Sequence, residues 1–385
     1  MLELPYLKEF IDVVKNTAKV DDVVDRITHF WTTTICIIFG MITASKLLLG
    51  RPMECMVPSE YVGAWADYTR QYCYITSTYT VPLGIEYQRG VTREVIENMR
   101  RQHPYYQWVP VILLLQAVST YFPHFIWNCF LKIKNADIDY ILKQARELRY
   151  LHGDERVKSL DQLVNYLKSQ ISYTGTRNRV SYAGFGCYLS YLHLFVKVLT
   201  VFVICGNIYF INYFFGDNET SLWGFDMVQN VFASNASNVL NETSIFPRVT
   251  FCNFSQPTNF GFVERTMQCT LMVNMLNEKI FIFLWFWFSL IFICAASNVF
   301  CNALVLFVPY FRQNKVKYFM KPSLNSMTES FSDSSSGYNK IDLKIETFAR
   351  DILEADGVHL LQLIREHAGG LVASEVACTL YERLH

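Results

Sequence analysis

The sequence predicts an all-α membrane protein: a four-helix transmembrane bundle with a cytosolic helical loop and C-terminal helices, and disulfide-linked extracellular loops with little β structure. Three observations carry this prediction. Four apolar runs are each long enough to cross hydrocarbon about 30 Å thick as a helix of about 20 residues. Lysine and arginine concentrate in alternate connecting segments. Four cysteines, Cys55, Cys73, Cys252 and Cys269, fall in the other connections, on the membrane face where oxidation is permitted.

The runs are Thr28–Leu49, Tyr105–Phe130, Tyr188–Phe215 and Lys279–Tyr310. Residues 1–27 and 311–385 are then terminal segments on one side, with 131–187 joining them there. Segments 50–104 and 216–278 face the other side. A cleavable signal sequence is not expected. The first run is too long for an h-region and follows acids (Glu3, Glu9, Asp12, Asp21, Asp22, Asp25) rather than a basic stretch.

Charge sets the orientation. Segment 131–187 carries Lys132, Lys134, Lys143, Arg146, Arg149, Arg156, Lys158, Lys168, Arg177 and Arg179, and Arg312, Lys315, Lys317 and Lys321 follow the fourth run, whereas 216–278 has only Arg248 and Arg265. The first loop is less clean, with Arg51, Arg70, Arg89, Arg93, Arg100 and Arg101, but the sum predicts cytosolic termini and two extracellular loops. The Asn-x-Ser/Thr sites at Asn218, Asn235, Asn241 and Asn253 all lie in the second of those loops, which agrees with that topology.

Along the chain, Leu4, Leu7, Phe10, Ile11 and Val14 recur at helical spacing after Pro5, with Lys8, Glu9, Asp12 and Lys15 on the opposite face. This reads as an amphipathic helix, lying on the inner membrane surface or folded into a pore mouth. In the cytosolic loop, Ile138, Ile141, Leu142, Ala145 and Leu148 form one apolar stripe; Leu160, Leu163, Val164 and Leu167 form another. Ser323–Gly337 reads as a flexible linker. Amphipathic helices follow at Ile341–Ala355, Val358–His367 and Leu371–Leu384, punctuated by Asp356-Gly357 and Gly369-Gly370.

Composition excludes several functions. The net charge of zero gives no nucleic-acid footprint. No phosphate loop, His-Glu-x-x-His or Cys-x-x-Cys is present, so neither an enzyme nor a cofactor or metal site is expected. The spans contain Lys46, near a membrane end, and the deeper Lys197, but no central acid to pair with them; an ion-coupled carrier would need a relay of such acids. Cys36, Cys129, Cys187, Cys205, Cys294, Cys301 and Cys378 read as apolar residues or reduced thiols. The four loop cysteines allow three connectivities, and spacing alone does not choose among them.

At the start of the second run stands Tyr105-Tyr106-Gln107-Trp108-Val109. Physically it reads as an interfacial aromatic anchor, with Pro110 behind it as a hinge candidate that would free a carbonyl inside the span. The pentapeptide resembles the signature of the innexins, invertebrate gap-junction proteins. So do Phe246-Pro-Arg-Val-Thr-Phe-Cys252, the stretch from Asn274 through Glu278 and Lys279 to Trp285 and Trp287, the Gln71-Tyr72-Cys73 and Val81-Pro82 elements, and Ala355-Asp356-Gly357-Val358. The resemblance covers nearly the whole chain. Two positions depart from the family pattern: Met56 stands where a Trp is usual, and Asn253 where an Asp is usual.

The resemblance implies a gap-junction channel subunit in the plasma membrane, passing ions and small metabolites between adjacent cells. It implies homo- or hetero-oligomers with other innexin subunits, an octameric ring, and docking with the hemichannel of a neighbouring cell. It implies the loop-to-loop pairing Cys55–Cys269 and Cys73–Cys252. It also implies that the N-terminal helix lines the pore entrance, where Glu3, Lys8, Glu9 and Asp12 would set a weak cation preference. The alternative is an undocked, glycosylated plasma-membrane hemichannel, motivated by the sequons. A non-conducting four-span scaffold fits less well: the large loop lacks the Cys-Cys-Gly of tetraspanins, and claudin-like chains are shorter in their cytosolic parts; connexins, for their part, have three cysteines per outer loop against two here.

Overall fold

The computed structural model describes residues 22–61, 63–76, 78–80, 101–103, 105–133, 138–175, 188–215, 224–225, 246–258, 261–328 and 344–384. Glu3, Lys8, Glu9, Asp12, Asn218, Asn235, Asn241 and Cys187 lie outside these. The chain runs α1 (Val23–Leu48), β1 (Met53–Cys55), α2 (Gly63–Ile75), β2 (Thr78–Thr80), β3 (Arg101–His103) and α3 (Val109–Ile133). It continues through α4 (Ile138–Leu148), α5 (Gly153–Gly175), α6 (Tyr188–Phe215), β4 (Val249–Thr258) and β5 (Gly261–Leu271). The last helices are α7 (Met272–Phe307), α8 (Pro309–Thr328), α9 (Glu354–Ala368) and α10 (Gly370–Leu384). Four of these, α1, α3, α6 and α7, contain stretches apolar and long enough to cross a membrane.

Local chemistry explains the helix ends. Asp22 caps α1, its Oδ1 accepting from Val23 N at 2.7 Å. Pro110 falls in the first turn of α3, where a missing N–H leaves no gap in the helical ladder. Pro110 thus stands at the start of this helix, and the proline inside it is Pro123. The fourth long helix starts at Met272, directly out of β5, rather than near Lys279, because Asn274 Nδ2 donates to Pro247 O at 3.0 Å and secures its first turns. Helix α8 continues to Thr328, so the first residues of the expected serine linker are helical.

The chain forms two compact units. One comprises Thr32–Ser119 and Ile204–Leu290. It contains a five-stranded sheet, order β1-β5-β4-β2-β3, in which every recorded pairing is antiparallel. The first connecting loop supplies β1, β2 and β3; the second supplies the β4–β5 hairpin between them. What strand structure the described loops have is gathered in this sheet. The helical segments of the same unit are tied by polar contacts: Trp285 Nε1 donates to Asn212 Oδ1 at 2.9 Å, Trp287 Nε1 to Thr32 Oγ1 at 3.1 Å, and Asn207 Nδ2 to Ser119 Oγ at 3.1 Å. Where lipid offers no hydrogen bonds, such pairs hold helices in register.

The other unit comprises the chain up to Trp31, Thr120–Val203 and Ile291–His385. Its core joins α4, α5, α8, α9 and α10. All five residues of the Ile138, Ile141, Leu142, Ala145, Leu148 stripe are buried, as are Leu163, Val164 and Leu167. Arg156 pairs with Glu375 at 2.9 Å, and Lys168 Nζ donates to Arg383 O at 2.8 Å, joining α5 to α10. Gly369, at φ 102°, ends α9 in a conformation that favours glycine.

Asp356-Gly357 does not end a helix, as the sequence reading expected; both residues belong to the first turn of α9. A Cβ added at Gly357 would meet Leu353 Cδ2 at 2.9 Å, so that side chain would have to shift to admit it. Asp356 is 1% exposed and reaches to the start of α6, where Oδ2 accepts from Leu189 N at 3.0 Å and Oδ1 from Ser190 N at 2.8 Å. A carboxylate there satisfies two otherwise unbonded amides and complements the helix dipole. Asp356→Ala strips both amides of their acceptor, and the expected loss is about 1–3 kcal/mol. Thermal unfolding of the full chain, with limited proteolysis to follow release of α9 and α10, measures it.

Candidate functional site

The disulfide-bearing sheet is built residue by residue from both loops. Cys55 on β1 lies directly opposite Cys269 on β5 and is bonded to it. Cys73, in α2, is bonded to Cys252 on β4 with Cα atoms 5.7 Å apart. Both bonds join one loop to the other, across sequence separations of 214 and 179 residues. Cross-links closing loops this long constrain the unfolded chain and typically add about 2–4 kcal/mol each. Sulfurs of Cys55, Cys73 and Cys269 cluster closely, but as disulfide members they are not thiolate metal ligands.

Around the sulfurs packs a small core of Met53, Tyr106, Leu271 and Val273. Tyr106 is fully buried; its hydroxyl donates to Tyr74 O at 3.1 Å, and Gln107 Nε2 donates to the same oxygen at 2.5 Å. Tyr74 sits in the last turn of α2, whose carbonyls have no helical partner. Tyr105 meets Phe214 and Phe246 edge-on at 6.3 and 5.8 Å, while Trp108 is 59% exposed. The pentapeptide is thus more than an interfacial anchor. Trp108 is left exposed, whereas Tyr106 and Gln107 clamp the stapled loops onto the start of α3.

Other side chains shape the sheet's surface. Asn253 Oδ1 accepts from Tyr79 OH at 2.8 Å and Thr266 Oγ1 at 3.2 Å, which ties β2, β4 and β5 together. Tyr61 OH donates to Gln256 Oε1 at 2.8 Å, and Tyr61, Tyr68 and Tyr72 set their rings edge-on around Phe254. Glu278, 3% exposed, lies 3.5 Å from Arg248 and 3.2 Å from Lys279.

The second unit holds the intramembrane cation. Lys197 is 4% exposed, with its Nζ 2.9 Å from Asp25 and 3.3 Å from Asp22. Asn298 Nδ2 also donates to Asp22, at 2.8 Å. Burial alone would raise the Asp22 carboxyl; Lys197, Asn298 and the Val23 amide outweigh it and hold the group below its ordinary range. The acids missing from the spans come from the head of α1. Beside them, His29 and His124 stack with ring centres 4.0 Å apart.

The family model described as Innexin matches residues 21–384 of the chain. The chain belongs to the innexin family. It is 30% identical to Innexin-3 of Caenorhabditis elegans over 100% of this chain and 88% of that protein. It is 29% identical to Innexin-11 of the same organism, over 94% of this chain and 78% of that protein. It is 29% identical to Innexin unc-9, again of that organism, over 94% of this chain and 91% of that protein.

In this innexin the structure brings together Cys55, Cys73, Cys252, Cys269, Tyr105, Tyr106, Gln107 and Asn253 in one unit. Sequence reasoning missed helix α2 and the acid partners of Lys197. A signal for the latter was present: Asp22 and Asp25 are three residues apart, hence on one helical face, and directly precede an apolar run.

Two outcomes follow for this innexin. Tyr106→Phe loses one hydrogen bond and is expected to destabilise by about 1 kcal/mol, whereas Tyr106→Ala opens a cavity worth about 3–5 kcal/mol; thermal unfolding under oxidising conditions distinguishes them. Lys197→Met leaves two carboxylates without their cation and is expected to destabilise by about 3–5 kcal/mol. Adding Asp22→Asn and Asp25→Asn to Lys197→Met restores much of that loss in the same assay.

Proposed function

We propose that this innexin is the subunit of a gap-junction channel passing ions and small metabolites between adjacent cells. The carrying observation is that two separate loops share one disulfide-stapled sheet at the ends of four apolar helices. A surface fixed in this way presents the same face in every subunit, and low conformational freedom favours docking of one ring on another.

In this reading the stapled sheet is extracellular and the termini are cytosolic, on the lysine and arginine distribution. Subunits, alone or mixed with other innexins, form a ring of eight that docks with the ring of a neighbouring cell. The N-terminal helix lines the pore entrance, and Glu3, Glu9 and Asp12, offset by Lys8, give a weak preference for cations.

Dual voltage clamp of paired cells expressing only this chain tests the proposal. Junctional conductance is expected, and its loss in Cys73→Ser with surface delivery retained. Single-cell current without coupling would instead support the hemichannel.

A further inference from the structure

Helices α6, α7, α8 and α9 of the Lys197-containing unit border a small, partly open cavity of about 30 Å³, where Ser190, His193, Asn302, Arg312, His359 and Gln362 meet an apolar wall. Three of its wall atoms are buried and have no hydrogen-bond partner among the described residues: Ser190 Oγ, Arg312 Nε and His359 Nε2. Leaving even one such group unsatisfied costs about 1–3 kcal/mol, so three around one void call for an occupant, water or a bound anion. Asn302 and Gln362 are already engaged, with Asn298 and with Lys315 and Glu366.

Arg312 biases the site towards an anion, and the other two groups can serve it as donors. Arg312 Nε can only donate, the Ser190 hydroxyl can donate, and a neutral imidazole donates from Nε2 in one tautomer. Burial, then Lys197 and Lys315, bring the His359 pKa down to about 3, so its ring is neutral. Lys197 and Lys315 act on that ring against Asp22, and Arg312 lines the same cavity. The nearby Asp356 turns its two oxygens to the Leu189 and Ser190 amides. With about 10–15 Å³ needed per water, the space suits an ion of a few heavy atoms. Ser190 stands in the first turn of α6, and Asn302 near the end of α7. Both helices are apolar enough to span a membrane.

We propose that this cavity binds a phosphate-type oxyanion, inorganic phosphate or the phosphate monoester of a lipid headgroup, with Arg312, Ser190 and His359 as its donors. The test uses the assembled full-length protein in detergent and phosphate-free buffer, with size exclusion to verify assembly of each variant. Radiolabelled orthophosphate in equilibrium dialysis is expected to bind saturably. Arg312→Met should weaken binding roughly tenfold or more. Ser190→Ala should weaken it less, since it keeps both backbone amides on Asp356 and so guards against a folding artefact. In parallel, nanodiscs with or without a phosphoinositide monophosphate are compared by native mass spectrometry. Retention of that lipid by wild type and its loss in Arg312→Met, without orthophosphate binding, assigns the site to a headgroup. Binding of neither species, or binding undiminished in both variants, overturns the proposal.

Discussion

The arrangement of the two loops depends on covalent pairing between them. Strands β1, β2 and β3 come from one loop and β4 and β5 from the other, and short strands of three residues contribute few ladder hydrogen bonds of their own. Cys55–Cys269 fixes the register of β1 on β5, and Cys73–Cys252 fixes helix α2 on β4. Because a one-residue slip turns every side chain to the opposite face, these bonds also decide which residues line the small core. Tyr106 and Gln107 then transmit that fixed geometry to α3 through one carbonyl of α2.

Polar residues elsewhere follow the same logic of obligatory pairing. The amides and indoles of Asn207, Asn212, Trp285 and Trp287 find partners on other helical segments. Lys197 is tolerated where it is because Asp22 and Asp25 neutralise it, and Asp22 simultaneously caps its own helix. One carboxylate thus ends a helix, accepts an amide from α7 and balances a buried charge.

The long helices were legible from apolar length alone, and Tyr188–Phe215 shows why: 28 residues of nearly unbroken hydrophobicity leave no competing reading. The stripes of α4 and α5 were equally plain, since their spacing repeats with the helical period. The stapled region was less so. Helix α2 carries Gly63, Ala64, Thr69 and several aromatics without a clear apolar stripe, and the pairing of β1 with β5 is a contact between distant segments that no local pattern encodes. Asp356-Gly357 misled for a related reason. Its residues are those of a turn, yet a tertiary role as the acceptor for α6 places them inside a helix.

The strand order has a consequence for biosynthesis. The hairpin made by β4 and β5 lies between strands that are synthesised far earlier, and Cys55 waits for a partner 214 residues downstream. At about 5–20 residues per second that delay is about 10–40 s. For most of it, between the synthesis of Cys73 and that of Cys252, Cys55 and Cys73 are the only two of the four bridging cysteines yet made, and they are free to oxidise with each other. The mature pairing therefore requires either that both remain reduced until the last span is made, or that a premature bond is exchanged by an isomerase. Neither bridge can form during the first half of translation, so the surface that they shape is among the last parts of the molecule to mature.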